Sequence, residues 1–252
     1  MIRLLGVLVW CYLTAPLTAQ AAGGVRNLDR AIAVLAGYGP FRTAGDLGAR
    51  YGNGFAVDGG VDLLPANGPW QFGLAAQFGF GNTVKEDVLS NLRTDAGFII
   101  GTQRQPAQVA LRHRQFFAGP HAGYTLALGA NRRAGIHFNT AVGYFFSHIR
   151  IQEDPNQYVP PLDRAYRAGY DRLAGGPAVR QFVGYQQLAT DRRLNFYVGG
   201  EVLVARGRQL RAYDIPLGGP PDASRRTDVV LGLRAGILLP VYLGEGREIF
   251  YR

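Results

Sequence analysis

Four charged residues would lie on the polar face of a sheet, where their side chains could form ion pairs. Asp58 and Asp62 lie on the same face of one extended segment, and Glu201 and Arg234 occupy the polar faces of two later segments. Buried carboxylates and guanidinium groups pair inside proteins, so this set predicts a polar cluster in the lumen of a barrel. The alternative is a narrow proton or ion path that opens when the pairs separate.

Histidines fall on the same polar faces. His113, His121 and His137 belong to two adjacent segments, and His121 and His137 complete the predicted lumen cluster. Imidazoles can bind metals, but no nearby inward carboxylate is evident from the sequence, so we expect hydrogen-bonded interior histidines. The only cysteine, Cys11, lies in the apolar amino-terminal run. We therefore expect no metal site, no thiolate catalysis and no cofactor.

The elements that must position these residues are eight segments of alternating polarity. In the stretch PWQFGLAAQFGFGN, Trp70, Phe72 and Phe78 fall on one face, whereas Gln71 and Gln77 fall on the other. Such alternation indicates strands with one apolar and one polar face. The segments cover residues 31–39, 53–64, 69–81, 109–128, 134–151, about 179–189, 194–211 and 227–242.

Connections between the segments alternate in length. Short links occupy 65–68, 129–133 and 190–193, and the intervening links are much longer. This rhythm predicts an all-β fold, an eight-stranded antiparallel transmembrane β-barrel with short periplasmic turns and long extracellular loops. An even strand count places both termini in the periplasm. The alternative is a soluble lipocalin-type barrel or a periplasmic sandwich, in which the apolar face would lie inside.

The amino-terminal residues predict export. Arg3 precedes an apolar run, and small residues follow where a peptidase could cut, so we expect residues 1–22 to be a removed signal peptide. Residues 23–252 would form the barrel domain, with a short periplasmic tail at about 243–252. Export makes nucleic acid an improbable partner for this basic chain, whose formal net charge is +9.

The third long loop, residues 152–178, carries apolar and aromatic residues at helical spacing within PPLDRAYRAGYDRL. The second long loop shows a shorter pattern of this kind, with Val88 and Leu92. Short surface helices at these places would either cap the barrel mouth or offer a docking surface for another outer-membrane protein. The candidate contact residues are Leu162, Tyr166, Tyr170 and Leu173.

Arginines lie near the expected external rim of the barrel. They are candidates for contacts with the phosphates of outer-membrane lipid, including lipopolysaccharide, and the alternative is solvated rim charge. The candidate residues are Arg112, Arg114, Arg150 and Arg208.

Three stretches, FGNTVKEDVLSNLRTDAGFIIG, the region around GYDRLAGGPAVRQFVGY and the ending LGLRAGILLPVYLGEGREIFYR, resemble an uncharacterised family of small outer-membrane β-barrel proteins from Bacteroidota. The resemblance covers nearly all of the mature chain and implies the fold and the location. That family has no assigned activity, so the resemblance implies no mechanism. At the level of fold, the chain is similar to OmpA-type and OmpW-type barrels.

These observations predict a non-enzymatic outer-membrane barrel, structural or an accessory subunit of a larger assembly. A narrow ion or small-solute pore is the first alternative. A lipid-modifying enzyme is the second, but Ser147 and His148 are consecutive on a strand and therefore point to opposite faces. Periplasmic chaperones and the barrel-assembly machinery are the partners expected during biogenesis.

Overall fold

The chain forms a closed antiparallel β-barrel in a computed structural model. The structure describes residues 27–102, 104–154, 157–190 and 194–243. The expected signal peptide, Cys11 and nearly all of the expected tail lie outside the described residues. Eight strands follow one another around the ring in the order of the chain, and the first closes the ring by pairing with the last.

The strands agree closely with the alternating segments of the sequence. Most bounds shift by one or two residues, whereas the first strand continues to Ala44 and the sixth begins at Ala174. The barrel strands are β1 (Ala31–Ala44), β2 (Gly54–Leu64), β3 (Trp70–Gly81), β6 (Val109–Ala127), β7 (Ala134–Glu153), β8 (Ala174–Leu188), β9 (Asn195–Gln209) and β10 (Arg226–Tyr242).

Small elements fill the long connections. Helix α1 (Gly45–Arg50) follows β1, the two-residue strands β4 (Ile99–Ile100) and β5 (Pro106–Ala107) pair in the second long loop, and α2 (Arg164–Arg167) lies in the third. None of the described helices is long and apolar enough to cross a membrane.

The outer wall of the barrel is apolar. Outward positions on every barrel strand carry exposed aliphatic or aromatic side chains, such as Leu74 at 66% exposed and Leu233 at 64%. The inward positions hold the charged and polar residues instead. A soluble barrel of lipocalin type would have the reverse arrangement, so its predicted interior is not the one observed.

The interior consists of three layers along the barrel axis. At the end with the short turns, Leu64, Leu188 and Leu238 form a buried apolar layer. The middle layer is polar. At the end with the long loops, inward side chains of the strands and buried loop residues form a second, larger apolar cluster, which we call the plug. The plug includes Phe41, Leu47, Tyr51, Val88, Leu89, Phe117, Phe145, Ile149, Ile151, Val159, Leu162 and Tyr170.

Candidate functional site

The middle layer of the lumen is assembled from strands that are not all neighbours. Asp58 on β2 and Arg234 on β10 are separated by β1, which places Gly37 between them, opposite both Asp58 and Gly236. A Cβ atom at Gly37 would stand 2.1 Å from the hydroxyl of Tyr197 and 2.7 Å from a carboxylate oxygen of Asp58. The missing side chain therefore makes the room in which these groups meet.

Arg234 is the centre of a hydrogen-bonded group that we call the lumen network. Its guanidinium donates to both oxygens of Asp58, with an Nε–Oδ1 distance of 3.0 Å, and its Nη1 lies 3.1 Å from Oε2 of Glu201. Gln77 donates to the other oxygen of Glu201 at 2.6 Å, and the hydroxyl of Tyr197 donates to Asp58 at 2.8 Å. Every carboxylate oxygen of the network thus accepts a hydrogen bond.

A second buried arginine, Arg180 on β8, was missed by the sequence analysis. It is 3% exposed, and its guanidinium lies 4.9 Å from the ring centroid of Phe117. The alternation of β8 is weaker than that of the other strands, and no inward residue was predicted on it. However, Val179 and Val183 face outward, and the parity that they define places Arg180 inside the barrel.

With Arg180 included, the formal charges around Arg234 balance. Asp58 and Glu201 carry two negative charges, and Arg180 and Arg234 carry two positive charges. Charges removed from water are tolerated when they are paired and hydrogen-bonded, and Asp58 and Glu201 meet that condition through Arg234, whereas Nη1 of Arg180 has no hydrogen-bond partner among the described residues. The arrangement is one that stabilises a filled interior.

The other predicted lumen residues form a second, neighbouring group. His121 places Nε2 2.8 Å from an oxygen of Asp62, and its Nδ1 lies 2.7 Å from the side-chain nitrogen of Asn139. His137 places Nδ1 3.0 Å from the hydroxyl of Thr125. All six predicted lumen residues therefore face inward, but Asp62 belongs with His121 and is not part of the group around Arg234.

A small cavity of about 30 Å³ lies between the two groups, lined among others by Asp58, His121, His137, Arg180 and Arg234. This volume suits one or two water molecules, and its polar lining supplies hydrogen-bond partners for them. In the described part of the chain, no three His, Cys, Asp or Glu side chains come together as a metal site. The geometry is that of a packed polar interior.

The third long loop differs from its predicted helix. Only a 3₁₀ turn at Pro160–Leu162 and the four-residue α2 form, because prolines precede the segment and Gly169 and a left-handed Arg172 (φ 50°) follow it. The apolar pattern of Val88 and Leu92 in the second loop likewise forms only a 3₁₀ turn at Ser90–Leu92, and Val88 is buried in the plug.

The four candidate contact residues of the third loop therefore separate. Leu162 is fully buried and Tyr170 is 3% exposed, both within the plug. Leu173 is partly buried, and Tyr166 is 59% exposed. Leu162 and Tyr170 cap the barrel mouth, which is one of the two arrangements expected from the spacing, so the four residues do not form one continuous surface. Tyr166 alone remains open to a partner.

The four candidate phosphate-contacting arginines also separate. Arg112 and Arg150 are direct cross-strand partners on the outer face of β6 and β7, and Arg114 lies two residues from Arg112 on that face. Arg208 is on β9, opposite Gly175 of the intervening strand β8. The register thus joins three of the arginines and leaves Arg208 in a different patch.

Comparison with known proteins adds distant likenesses. No protein-family profile and no curated protein sequence matches the chain. Among solved structures, Ail of Yersinia pestis is 9% identical, with a TM-score of 0.40, covering 84% of this chain and 99% of that one. The amino-terminal barrel domain of Pseudomonas aeruginosa OprF is 10% identical, with a TM-score of 0.36, covering 82% and 97%. Likeness at these scores carries no weight for function.

The barrel's own geometry defines its class. Closure leaves no free sheet edge around the body of the barrel, the outer wall is apolar, and the interior is filled, with a charged, polar middle layer. This combination is the architecture of the small outer-membrane β-barrels.

Proposed function

We propose that this protein is a closed, non-enzymatic barrel of the bacterial outer membrane that acts as a structural or accessory component. The observation that carries this proposal is the hydrogen-bonded lumen network, whose charges balance when the nearby Arg180 is counted, enclosed between two apolar layers. A barrel filled in this way stabilises itself and leaves its loops as the surface for contacts. The family resemblance within GYDRLAGGPAVRQFVGY favours a Bacteroidota source.

The outer wall supports insertion in a bilayer. Trp70 and Tyr124 stack edge to face at the short-turn end, with ring centroids 5.0 Å apart, and both rings are exposed. Tyr144 and Phe146 form a second aromatic pair toward the long-loop end. Aromatic residues at both borders of an apolar wall are typical of outer-membrane barrels. In the usual orientation of such barrels, the short turns, the start of β1 and the end of β10 face the periplasm. The chain would reach this state after export and assembly by the periplasmic machinery.

The pore alternative would require large rearrangements. Ions would have to separate Arg234 from Asp58 and Glu201, and both apolar layers would have to move aside. Planar-bilayer recording of the purified barrel tests this point. We expect no stable unitary conductance from the natural protein. Conductance steps that change in size in the Arg234→Gln variant would show that ions pass through the lumen, and the protein would then be a pore.

The accessory role is tested by purification of the tagged protein from native outer membranes in mild detergent. We expect a stoichiometric outer-membrane partner that is lost in Tyr166→Ala and retained in Tyr213→Ala, because both tyrosines are exposed but only Tyr166 follows the predicted contact pattern. If the barrel purifies alone, the accessory role is wrong and only the structural role remains.

The lipid-modifying alternative has little geometric support. Ser147 is fully buried on the inner face, whereas His148 lies on the outer face, so the two side chains are on opposite sides of β7. A nucleophile and its base must lie within hydrogen-bond reach, and these residues do not share a face.

A further inference from the structure

Strands β6 and β7 extend beyond both of their neighbours at the long-loop end. The pairing of β3 with β6 ends at His113, and the pairing of β7 with β8 ends at Ser147, but β6 and β7 remain paired up to Val109 and Glu153. The result is a two-stranded projection, residues 109–112 paired with 150–153, that we call the ribbon. It rises from the rim on one side of the barrel.

The inner face of the ribbon is fixed by packing. Ile149 at its base and Ile151 within it are 1% and 2% exposed and belong to the plug, and Leu111 packs against the same cluster. The ribbon is therefore part of the folded body, and its outer face is held in a defined position relative to the membrane wall.

The outer face of the ribbon and its base carries arginines directly opposite each other. Arg112 is the cross-strand partner of Arg150, and Arg114 is the partner of His148. Like charges opposite each other in a sheet are destabilising unless something neutralises them. Within the described part of the chain, no carboxylate forms an ion pair with Arg112, Arg114 or Arg150.

The hydrogen bonds that these arginines do make are to neutral groups. Arg112 donates to the side chains of Asn82 and Gln152 at 2.5 and 3.3 Å, and Arg114 donates to the carbonyl of His113 at 2.7 Å. The guanidinium of Arg150 makes no such bond among the described residues, and its side chain is exposed. The cluster thus retains donors and uncompensated positive charge.

A groove of about 430 Å³ runs along the side of β7 where β8 has ended, and His148, Arg150, Gln152 and Arg167 help to line it. Two carboxylates also line the groove. Glu153 is paired with Arg167, and Asp171 is paired with Arg211. The acids are already neutralised, so they do not cancel the charge of Arg150.

The wall below the arginines is aromatic and apolar. Phe116 and Phe146 are cross-strand partners on the same outer face, and Phe116 is two residues, or about 7 Å, below Arg114. Tyr144 follows below, 40% exposed, with its ring centroid 4.7 Å from that of Phe146. The surface therefore places an apolar wall directly beneath a cluster of three arginines.

We propose that Arg112, Arg114 and Arg150 form a binding site for a phosphorylated glycolipid of the outer leaflet, with its phosphates on the guanidinium groups and its acyl chains along the Phe116–Phe146 wall. The inference rests on the proposed membrane location. Guanidinium groups bind phosphate oxygens with paired, charge-assisted hydrogen bonds. The juxtaposition with the aromatic wall favours a lipid-borne phosphate over a free one.

The test uses the purified mature barrel in detergent, titrated with lipid A carrying two phosphates and followed by native mass spectrometry. The variant Arg112→Gln/Arg114→Gln/Arg150→Gln is compared with a control of equal charge change at three other exposed arginines, Arg42→Gln/Arg206→Gln/Arg225→Gln. Phosphate-free lipid A with the same acyl chains and inorganic phosphate alone are the ligand controls. A heat-dependent gel shift verifies that each variant is a closed barrel.

We expect the ribbon variant to lose affinity for lipid A by at least about tenfold, because several charge-assisted hydrogen bonds are removed together. The control variant should lose less than about twofold, since its charges lie elsewhere. Removal of the phosphates from the lipid should weaken binding to the natural protein and have little further effect on the ribbon variant.

Two outcomes would overturn the proposal. Equal losses in the two variants would show general attraction to a basic protein, and binding of inorganic phosphate as tightly as lipid A would show a site for a soluble anion. If the natural protein still shows the heat-dependent shift, either of these results overturns only the lipid site and not the closed barrel. If the natural protein shows no such shift, the proposed membrane barrel itself is wrong.

Discussion

Arg234 on β10 holds Asp58 on β2 across the inward-facing Gly37, with two guanidinium nitrogens on one carboxylate and an Nε–Oδ1 distance of 3.0 Å. The same guanidinium reaches Glu201. One side chain on β10 therefore ties the neighbouring strand β9 to β2, which lies at the other end of the sequence. This relationship makes the lumen network a stabilising element of the barrel, and its removal has a definite expected cost.

Replacement of Arg234 by Leu should destabilise the barrel by about 3–5 kcal/mol, because Asp58 and Glu201 would stay buried without their partner. The free energy of unfolding in urea, measured in detergent micelles, checks this expectation. Arg225→Leu is the matched control, since Arg225 is exposed in a loop. Equal unfolding midpoints for the two variants would show that the network does not stabilise the fold.

Gly37→Ala should disturb the same network without changing any charge. The new Cβ atom would stand 2.1 Å from the hydroxyl of Tyr197, so Tyr197 or the backbone must shift, at a cost of about 1–3 kcal/mol. Gly129→Ala is the control, because a Cβ atom there meets no atom within 4 Å. The free energies of unfolding of the two variants test this expectation. A Gly37→Ala variant as stable as Gly129→Ala would contradict the packing described.

Arg133 closes the short-turn end of the barrel. Its Nη2 donates to the carbonyls of Asp29 and Pro65 at 2.8 and 2.9 Å, and the side chain is 2% exposed. Arg133→Lys keeps the charge but cannot present the same fork of donors. We expect faster hydrogen exchange at the amide of Asn67, which bonds to Leu28 in this segment. The exposed neighbour Arg132, changed to Lys, should leave exchange unaltered.

The two tyrosines of the third loop should differ in their effect on stability. Tyr170 is 3% exposed in the plug, so Tyr170→Ala should cost about 3 kcal/mol in unfolding free energy. Tyr166 is 59% exposed, so Tyr166→Ala should change stability by less than about 0.5 kcal/mol. Urea unfolding of both variants provides the comparison. A reversed order would show that the loop packs differently in the membrane.

Alkaline pH should weaken the plug through Tyr51. Burial raises the pKa of its phenol above the ordinary value of 10.0, because the neutral form is favoured away from water. The folded pKa therefore exceeds the unfolded one, and the corresponding stability is present below pH 10 and declines as pH rises above it. Unfolding free energies of the natural protein and Tyr51→Phe at pH 8 and pH 11 test this, with a smaller alkaline loss expected in the variant.

Much of the barrel follows from the sequence, because a strand's side chains alternate regardless of what surrounds it. The pattern around Trp70 and Phe78 identified outward residues, and the same parity placed Asp58, Glu201 and His137 inside. The alternation of short and long links gave the strand count. Arg180 was missed because the apolar positions of β8 are interrupted by Gln181 and Tyr185, although Val179 and Val183 carry the signal.

The conformations of the long loops could not be predicted from residue spacing. The helical spacing of Leu162, Tyr166 and Tyr170 is present in the sequence, but the backbone forms only short turns there. Burial of Leu162 and Tyr170 in the plug competes with helix formation and prevails, since a helix of this length has little stability of its own. Spacing therefore marked the apolar residues correctly and predicted the wrong local structure for them.

The sequence by itself determined which face of each strand each residue occupies, because that depends only on the two-residue period of the β-strand. The tertiary structure decided which residues meet. Ring closure and strand register bring Asp58 to Arg234 across Gly37, separate Asp62 into the group with His121, and set Arg112 against Arg150 while leaving Arg208 apart. Register is a relation between distant segments, fixed by packing and pairing of the whole ring, and no single strand contains it.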